Sequence, residues 1–295
     1  MEAVGGLAVT ASAFSFGAAV VLGKIAGERG LPIPSMLAFR FAVAAVLVAL
    51  ILLGLRRSLR AAPGEGVALF LLGGVGYGLE AGFFFLALEH GTAAAVSLLF
   101  FTYPVWVAAI SALLGRGTPG ALVLGSLAAA VGGAALVVVS SGGLDINGLG
   151  IGMALAVSVT FAGYLLAVDH RLKDTGSLVA SMWVTAGAST VLGLFALVTG
   201  IGRVPQGTGE WWPVAGMGLF TASAFLGLFI GLRRLGAVRA SIIAALEPVA
   251  TALLALWVLG EPVRPLTAVG GGLIVAAAGV AALARGRDAP EPVVP

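Results

Sequence analysis

Three ionisable side chains stand inside long apolar runs: Arg40 in LAFRFAVAAVLVAL, Glu80 in GYGLEAGFFFLAL and Glu247 in ASIIAALEPVATALLAL. A charge at the centre of a bilayer costs at least about 2.5 to 3.5 kcal/mol on insertion scales, so a group found there lines a cavity or is paired. A carboxylate in such a place can bind a proton or a cationic group, and a guanidinium can orient a carboxylate. Glu247 also precedes Pro248. Proline removes one intrahelical donor and blocks the preceding turn, which frees carbonyls that need another partner. A structural alternative stands beside each chemical reading. Arg40 pairs with a glutamate or extends to the headgroups, and Pro248 only shapes its helix while Glu247 caps a neighbour or pairs with Arg40.

The neighbours of these groups are aromatic. Gly73, Tyr77, Glu80 and Phe84 follow helical spacing and share one face, while Gly74, Gly78 and Gly82 form a small-residue ridge beside it. Phe100, Tyr103 and Trp106 make a comparable strip, and Tyr164 and Trp183 are further candidates. Aromatic faces bind apolar side chains or cations, although core packing and interfacial anchoring account for most such rings. Ser181, Thr185 and Ser189, spaced by four, are expected to make interhelical hydrogen bonds.

The elements that position these residues follow from composition. Of the 295 residues, 60% are apolar and 10% charged, against roughly 25% charged in soluble domains. A spanning helix needs about 20 apolar residues. Ten stretches qualify: 7–25, 35–55, 67–88, 93–114, 119–139, 149–168, 178–201, 211–232, 237–259 and 265–284. The short connections carry Gly, Pro and charge. The apolar N-terminus lacks a basic leader and a clear cleavage site, so it is expected to be the first span.

Alternate loops differ in basic residues. One side holds Arg56, Arg57, Arg60, Arg116, Arg171, Lys173, Arg233, Arg234, Arg239, Arg285 and Arg287; the other holds Lys24, Arg29, Arg203 and Arg264. The positive-inside rule places the first set, with both termini, in the cytoplasm. The net charge of +3 expresses this asymmetry and gives no reason to expect nucleic acid. Cysteine is absent, which rules out disulfides, thiol catalysis and Cys-ligated zinc.

The chain repeats itself. TAAAVSLLFFTYPVWVAAISALLG and AVRASIIAALEPVATALLALWVLG line up through Pro104 and Pro248, each followed by a turn and a Gly-rich last span. Five spans per half is an odd number, so the second copy enters from the other side. The fold expected is an all-α integral membrane protein of ten transmembrane helices, built as two inverted five-helix repeats over 1–143 and 144–285, with a short disordered cytoplasmic tail over 286–295.

At these residues the sequence resembles the EamA family of the drug/metabolite transporter superfamily. The likeness rests on LEPVATALLALWVLGEPV (246–263), GGGLIVAAAGV (270–280) and LAFRFAVAAVLVAL (37–50), and spans essentially the whole chain as two copies. It implies a ten-helix multi-pass carrier of the cell (inner or plasma) membrane with cytoplasmic termini. Many such carriers export amino acids, their derivatives or other small metabolites, often in exchange for protons, while relatives move nucleotide sugars. The first copy departs from the second in having Tyr103 where the second has Glu247, and Arg116 near the place of Glu261.

Enzyme chemistry finds little support: His90 and His170 sit at span ends outside any metal motif, and neither a GxSxG nor a P-loop pattern occurs. The expectation is therefore a secondary active exporter, not an enzyme, with no cofactor or metal. It moves a small metabolite such as an amino acid, an amine or a related compound by alternating access around a central cavity. Arg40, Tyr77, Glu80, Tyr103, Trp106, Tyr164, Trp183 and Glu247 are the expected substrate contacts. Glu80 and Glu247 are the proton-coupling candidates, and Pro104 and Pro248 the helix breaks. The expected partners are the substrate, the lipid bilayer and protons. One chain suffices, and a dimer is compatible. The alternatives are an integral-membrane enzyme acting on a lipid and a ligand sensor that does not transport.

Overall fold

A computed structural model describes residues 2–141, 144–171, 174–260 and 263–283; the tail expected over 286–295 and Glu261 lie outside the described residues. The described chain is helical: α1 (Glu2–Glu28), α2 (Ile33–Gly54), α3 (Glu65–Leu71), α4 (Tyr77–Leu88), α5 (Ala93–Phe100), α6 (Tyr103–Leu113), α7 (Ala121–Ser141), α8 (Gly148–Arg171), α9 (Ser177–Val198), α10 (Gly207–Ala244), α11 (Glu247–Leu259) and α12 (Pro265–Leu283). A π-turn, Leu72–Gly76, joins α3 to α4 within the third span. The 38-residue α10 is two helices merged across Gly236, whose φ of 75° is open to glycine at little cost. Its last turns, 237–244, belong with α11 to the ninth span. The count is therefore ten spans in two inverted five-helix repeats.

The outer surface is apolar. Leu113 and Trp257 are 87% and 88% exposed, and Leu7, Val67, Leu197 and Val198 are each above 69%. Soluble proteins cover such surfaces, whereas here they form the face offered to lipid. Inside, small residues let helices approach closely. A Cβ on Gly73 would lie 2.0 Å from the Val184 carbonyl oxygen, and one on Gly187 would lie 2.0 Å from that of Phe70. The ridge expected at Gly74, Gly78 and Gly82 is corrected in part: Gly74 and Gly78 face Val191, but Gly82 meets nothing, and Gly73 makes the closest approach. Of Ser181, Thr185 and Ser189, only Ser189 bonds across helices, donating to the Ala38 carbonyl at 3.0 Å. Ser181 and Thr185 return their hydroxyls to their own helix, to Leu178 and Ser181.

A single interval in the sequence carries the first repeat onto the second. It takes Ile33–Gly54 onto Ser177–Val198, Ala93–Phe100 onto 237–244, and Tyr103-Pro104 onto Glu247-Pro248. The second and seventh spans (α2, α9) exchange under it, and they pack on each other; so do the fifth and tenth (α7, α12). These two pairs therefore lie on the pseudo-twofold axis. The remaining packing sorts the spans into two bodies. In one, α1 lies along α10 and α11, and α10 also packs on α2 and α12; in the other, α8 lies along α4, α5 and α6, while α3 packs on α9 and α5 on α7. One body thus holds spans 1, 2, 8, 9 and 10, and the other holds spans 3 to 7. The seam between the bodies cuts across both repeats.

Candidate functional site

The fourth and ninth spans break at the same place. In α5–α6 the chain turns at Phe101 and Thr102, and Pro104 has no N–H for the Phe100 carbonyl. Ser158 on α8 donates to that carbonyl at 3.1 Å and touches Thr102 Oγ1 at 3.0 Å. In the ninth span the break falls at Ala245 and Leu246, before Glu247-Pro248. The position equivalent to Ser158 is Phe14, which has no hydroxyl to offer the Ala244 carbonyl. A carboxylate and a backbone carbonyl that Pro248 cannot serve thus fall together at this break.

A cavity of about 820 Å³ runs down to this break from the face opposite the termini. Its walls lie on the seam: Val20 and Lys24 of α1, Thr251 and Ala255 of α11 and Thr267 of α12 on one side; Phe84 of α4, Ser97 and Phe100 of α5 and Ser140 of α7 on the other. Glu247 and Pro248 line its inner end, and Arg264 stands near its mouth, donating to the Ser140 carbonyl at 2.6 Å. The eight residue steps from Glu247 to Ala255 rise about 12 Å at 1.5 Å per residue, so the cavity penetrates well into the apolar layer.

Behind the inner end, Arg40, Glu80 and Glu247 are mutually within electrostatic reach. Among the described residues no ion pair joins them. The guanidinium of Arg40 lies 4.6 Å from the Phe41 ring centroid, and its Nε is buried without a hydrogen-bond partner. Glu80 sits in the first turn of α4, directly after the π-turn; π-turns inside helices often mark functional sites because they rotate the following side chains off the regular face. An aromatic chain ties this cluster to the cavity wall. Phe41 meets Tyr77 at 5.2 Å, Tyr77 meets Tyr164 at 5.2 Å, Tyr164 stacks on Phe161 at 6.0 Å, and Phe161 meets Tyr103 at 4.9 Å and Phe100 at 5.4 Å.

Of the residues singled out from sequence, Arg40, Tyr77, Glu80, Tyr103, Tyr164 and Glu247 are brought together in this cluster. Trp183 is not: its indole donates to the Leu59 carbonyl at 3.0 Å, at the termini's face. Trp106 packs against the core and does not line the cavity. Lys24, Ser97, Thr251 and Thr267 line the cavity but were invisible as site residues in the sequence, where their only signal was helical spacing relative to Glu247 or the repeat interval. Two buried hydroxyls near the cluster, those of Tyr164 and Thr221, have no hydrogen-bond partner. A buried hydroxyl left unpaired carries a desolvation cost. Tyr164→Phe is therefore expected to leave thermal stability unchanged or to raise it by up to about 1 kcal/mol, measured by thermal unfolding in detergent, while weakening ligand binding.

The EamA-like transporter family model matches residues 3–139 and 148–283, once on each repeat. The chain belongs to the EamA-like transporter family. It is therefore a multi-pass membrane protein of the drug/metabolite transporter superfamily, whose EamA members are transporters and not enzymes. Among the solved structures that are similar, one described only as the crystal structure of a protein superposes with a TM-score of 0.81 at 19% identity, covering 94% of this chain and 96% of its own. That likeness concerns the fold. No curated protein matches. In EamA-like terms, the two matched copies are the two repeats whose breaks, at Pro104 and Pro248, face each other across the seam.

Proposed function

We propose that this EamA-like transporter is a secondary carrier in the cell (inner or plasma) membrane. It exports a small metabolite with a basic nitrogen, such as an amino acid or an amine, in exchange for protons. The observation that carries this reading is the cavity that ends on Glu247 at a proline break, with Glu80 and Arg40 within electrostatic reach. A substrate ammonium is a strong donor that suits both the Glu247 carboxylate and the Ala244 carbonyl. Arg40 then orients a substrate carboxylate or pairs with a glutamate. Phe100 lines the cavity, and Tyr77, Tyr103 and Tyr164 stand behind it as the rings toward which an apolar or cationic part of the substrate is drawn as it goes deeper. Protons and ammonium compete for the same acids, so loading one displaces the other. With the basic loops and both termini in the cytoplasm, the described cavity faces outward. One chain contains both halves of the site.

The test is direct. Purified protein is screened by thermal shift against amino acids, amines, nucleosides and sugars, and each stabilising compound is taken to counterflow in proteoliposomes. A compound with a basic nitrogen that both stabilises and accumulates by counterflow supports the carrier. Stabilisation without counterflow sinks transport in favour of a sensor, and a response confined to sugars or nucleosides sinks the role given to Glu247.

A further inference from the structure

Four basic residues belong to the face opposite the termini, and two of them are engaged away from the cavity. Arg203 makes a bidentate pair with Glu210 at 2.7 and 2.8 Å, while Arg29 donates to the Gly209 carbonyl and lies 5.5 Å from the Trp212 ring centroid. The other two, Lys24 and Arg264, line the cavity. Among the described lining residues the one acid is Glu247, at the inner end. The cavity is therefore bipolar, with a carboxylate at its floor and two cations toward its mouth. The repeat does not impose this arrangement. Under its interval the equivalents of Lys24, Glu247 and Arg264 are Val168, Tyr103 and Gly120, so the same fold is built without charge at all three positions. A plain amine on its way to Glu247 passes two like charges, whereas a substrate that brings an anion of its own is held by them.

Helix packing sets the distance between the poles. α1 and α11 run side by side toward the same face and are level where Gly17 meets the Ala250–Thr251 peptide: a Cβ on Gly17 would lie 2.8 Å from the Thr251 nitrogen and 3.1 Å from the Ala250 carbonyl carbon. Lys24 is seven residues beyond this crossing and Glu247 four before Thr251, which puts their backbones about 16 Å apart at 1.5 Å per residue. Side chains on parallel helices lean alike, toward the N-terminus, so most of this separation is kept between the charged heads. Taking off a charged hydrogen bond of about 2.8 Å at each end leaves roughly 8 to 11 Å for the ligand. Arg264 is fixed at the outer end: its guanidinium donates to the Ser140 carbonyl at 2.6 Å, and the Ser140 and Thr267 hydroxyls bond each other. We infer that the cavity takes an elongated zwitterion, its ammonium on Glu247 and its acid group on Lys24 and Arg264. Its length is that of a di- or tripeptide, because an extended chain advances about 3.3 to 3.6 Å per residue. This inference rests on the carrier reading and names its substrate class. An α-amino acid or a simple amine reaches one pole only. The volume of about 820 Å³ suits the longer ligand, lying in the upper part of the roughly 300 to 1,000 Å³ of pockets that enclose drug-sized molecules. With the acid end at the mouth, Arg40 is left to pair with a glutamate.

A chemical ruler tests it. The probes are straight-chain ω-amino acids with from about one to nine methylenes between ammonium and carboxylate, each beside the primary alkylamine of the same length, and the Kd of each is read by thermal-shift titration of the full-length protein in detergent. The tightest amino acid is expected at about five to seven methylenes, which spans the gap between the poles. It should bind about 10- to 100-fold more tightly than its matched amine and than glycine, the gain from a charged hydrogen bond at the second pole. Lys24→Gln and Arg264→Gln should each cut that advantage about three- to tenfold and tighten the plain amine, from whose path they remove a like charge. The inference is overturned if no amino acid outdoes its amine, if glycine is the tightest, or if the advantage survives both substitutions. Should the variants fail to fold, the length series on the unaltered protein decides alone. Counterflow in proteoliposomes separates this inference from the carrier reading. A length optimum without counterflow of the tightest probe overturns the carrier and leaves the bipolar site, whereas counterflow of plain amines with no gain from the acid group leaves the carrier and overturns the site.

Discussion

Glu247→Gln is expected to lower flux about 10- to 100-fold, the loss that follows when the contribution of a charged hydrogen bond, roughly 1.5 to 3 kcal/mol, is removed. The substitution keeps the shape of the side chain beside Pro248 and removes its ability to exchange a proton for an ammonium. The pH response should go with it: with a carboxylate, protons compete with the substrate and acidification on the substrate side slows loading, whereas a glutamine has nothing to titrate. Glu80→Gln should flatten the pH profile as well, with a smaller loss of flux, because Glu80 stands behind the cavity and not on its lining. Neither variant should unfold the protein, since each removes a charge from a low-dielectric site. The measurement is substrate flux against pH in proteoliposomes. If both variants keep wild-type flux and wild-type pH response, the acids do not couple protons.

The second large effect concerns stability. Gly73→Ala and Gly187→Ala would each put a methyl 2.0 Å from a backbone carbonyl oxygen of the neighbouring span. Backbone cannot rotate away as a side-chain tip can, so the helices must part. Overpacking of this kind costs about 1 to 3 kcal/mol, and the expected result is a clear fall in the unfolding temperature in detergent, larger for the pair than for either alone. Gly82→Ala, with nothing within 4 Å of the added methyl, is the matched control and should be neutral. A control as damaging as Gly73→Ala would mean that helix propensity or lipid contact, and not the span 3 to span 7 crossing, governs the result.

Much of this architecture is legible in the residues. Length and hydropathy locate the spans because a bilayer imposes one thickness on all of them. Pro104 and Pro248 locate the breaks because proline removes a donor wherever it stands. The six members of the central cluster are legible because ionisable groups inside the spans are few and the chain has three tyrosines in all. Trp106 and Trp183 stand out only as aromatic rings and lie elsewhere: a ring in a helix reads the same whether it packs on the core, bonds the Leu59 carbonyl or faces a substrate. The π-turn before Tyr77 and the choice of Gly73 over Gly82 as the contact residue depend on which span arrives opposite. That is a property of the assembled bundle. The cavity wall is tertiary too, assembled from α1, α4, α5, α7, α11 and α12.

The seam has a consequence for how the chain is made. Spans 3 to 7 are consecutive, so that body can gather as its helices leave the translocon. The other body cannot. Val9 is set against Gly231, and the Ala8 carbonyl against Gly227, so the first span waits for partners that lie more than half the chain away. At about 5 to 20 residues per second, synthesis of the intervening length takes on the order of ten seconds or more. During that time the glycine-lined flank of span 1 must be held by lipid or by an insertion chaperone, and a nascent chain stalled after span 7 would carry spans 2 to 7 gathered beside an unpartnered first span.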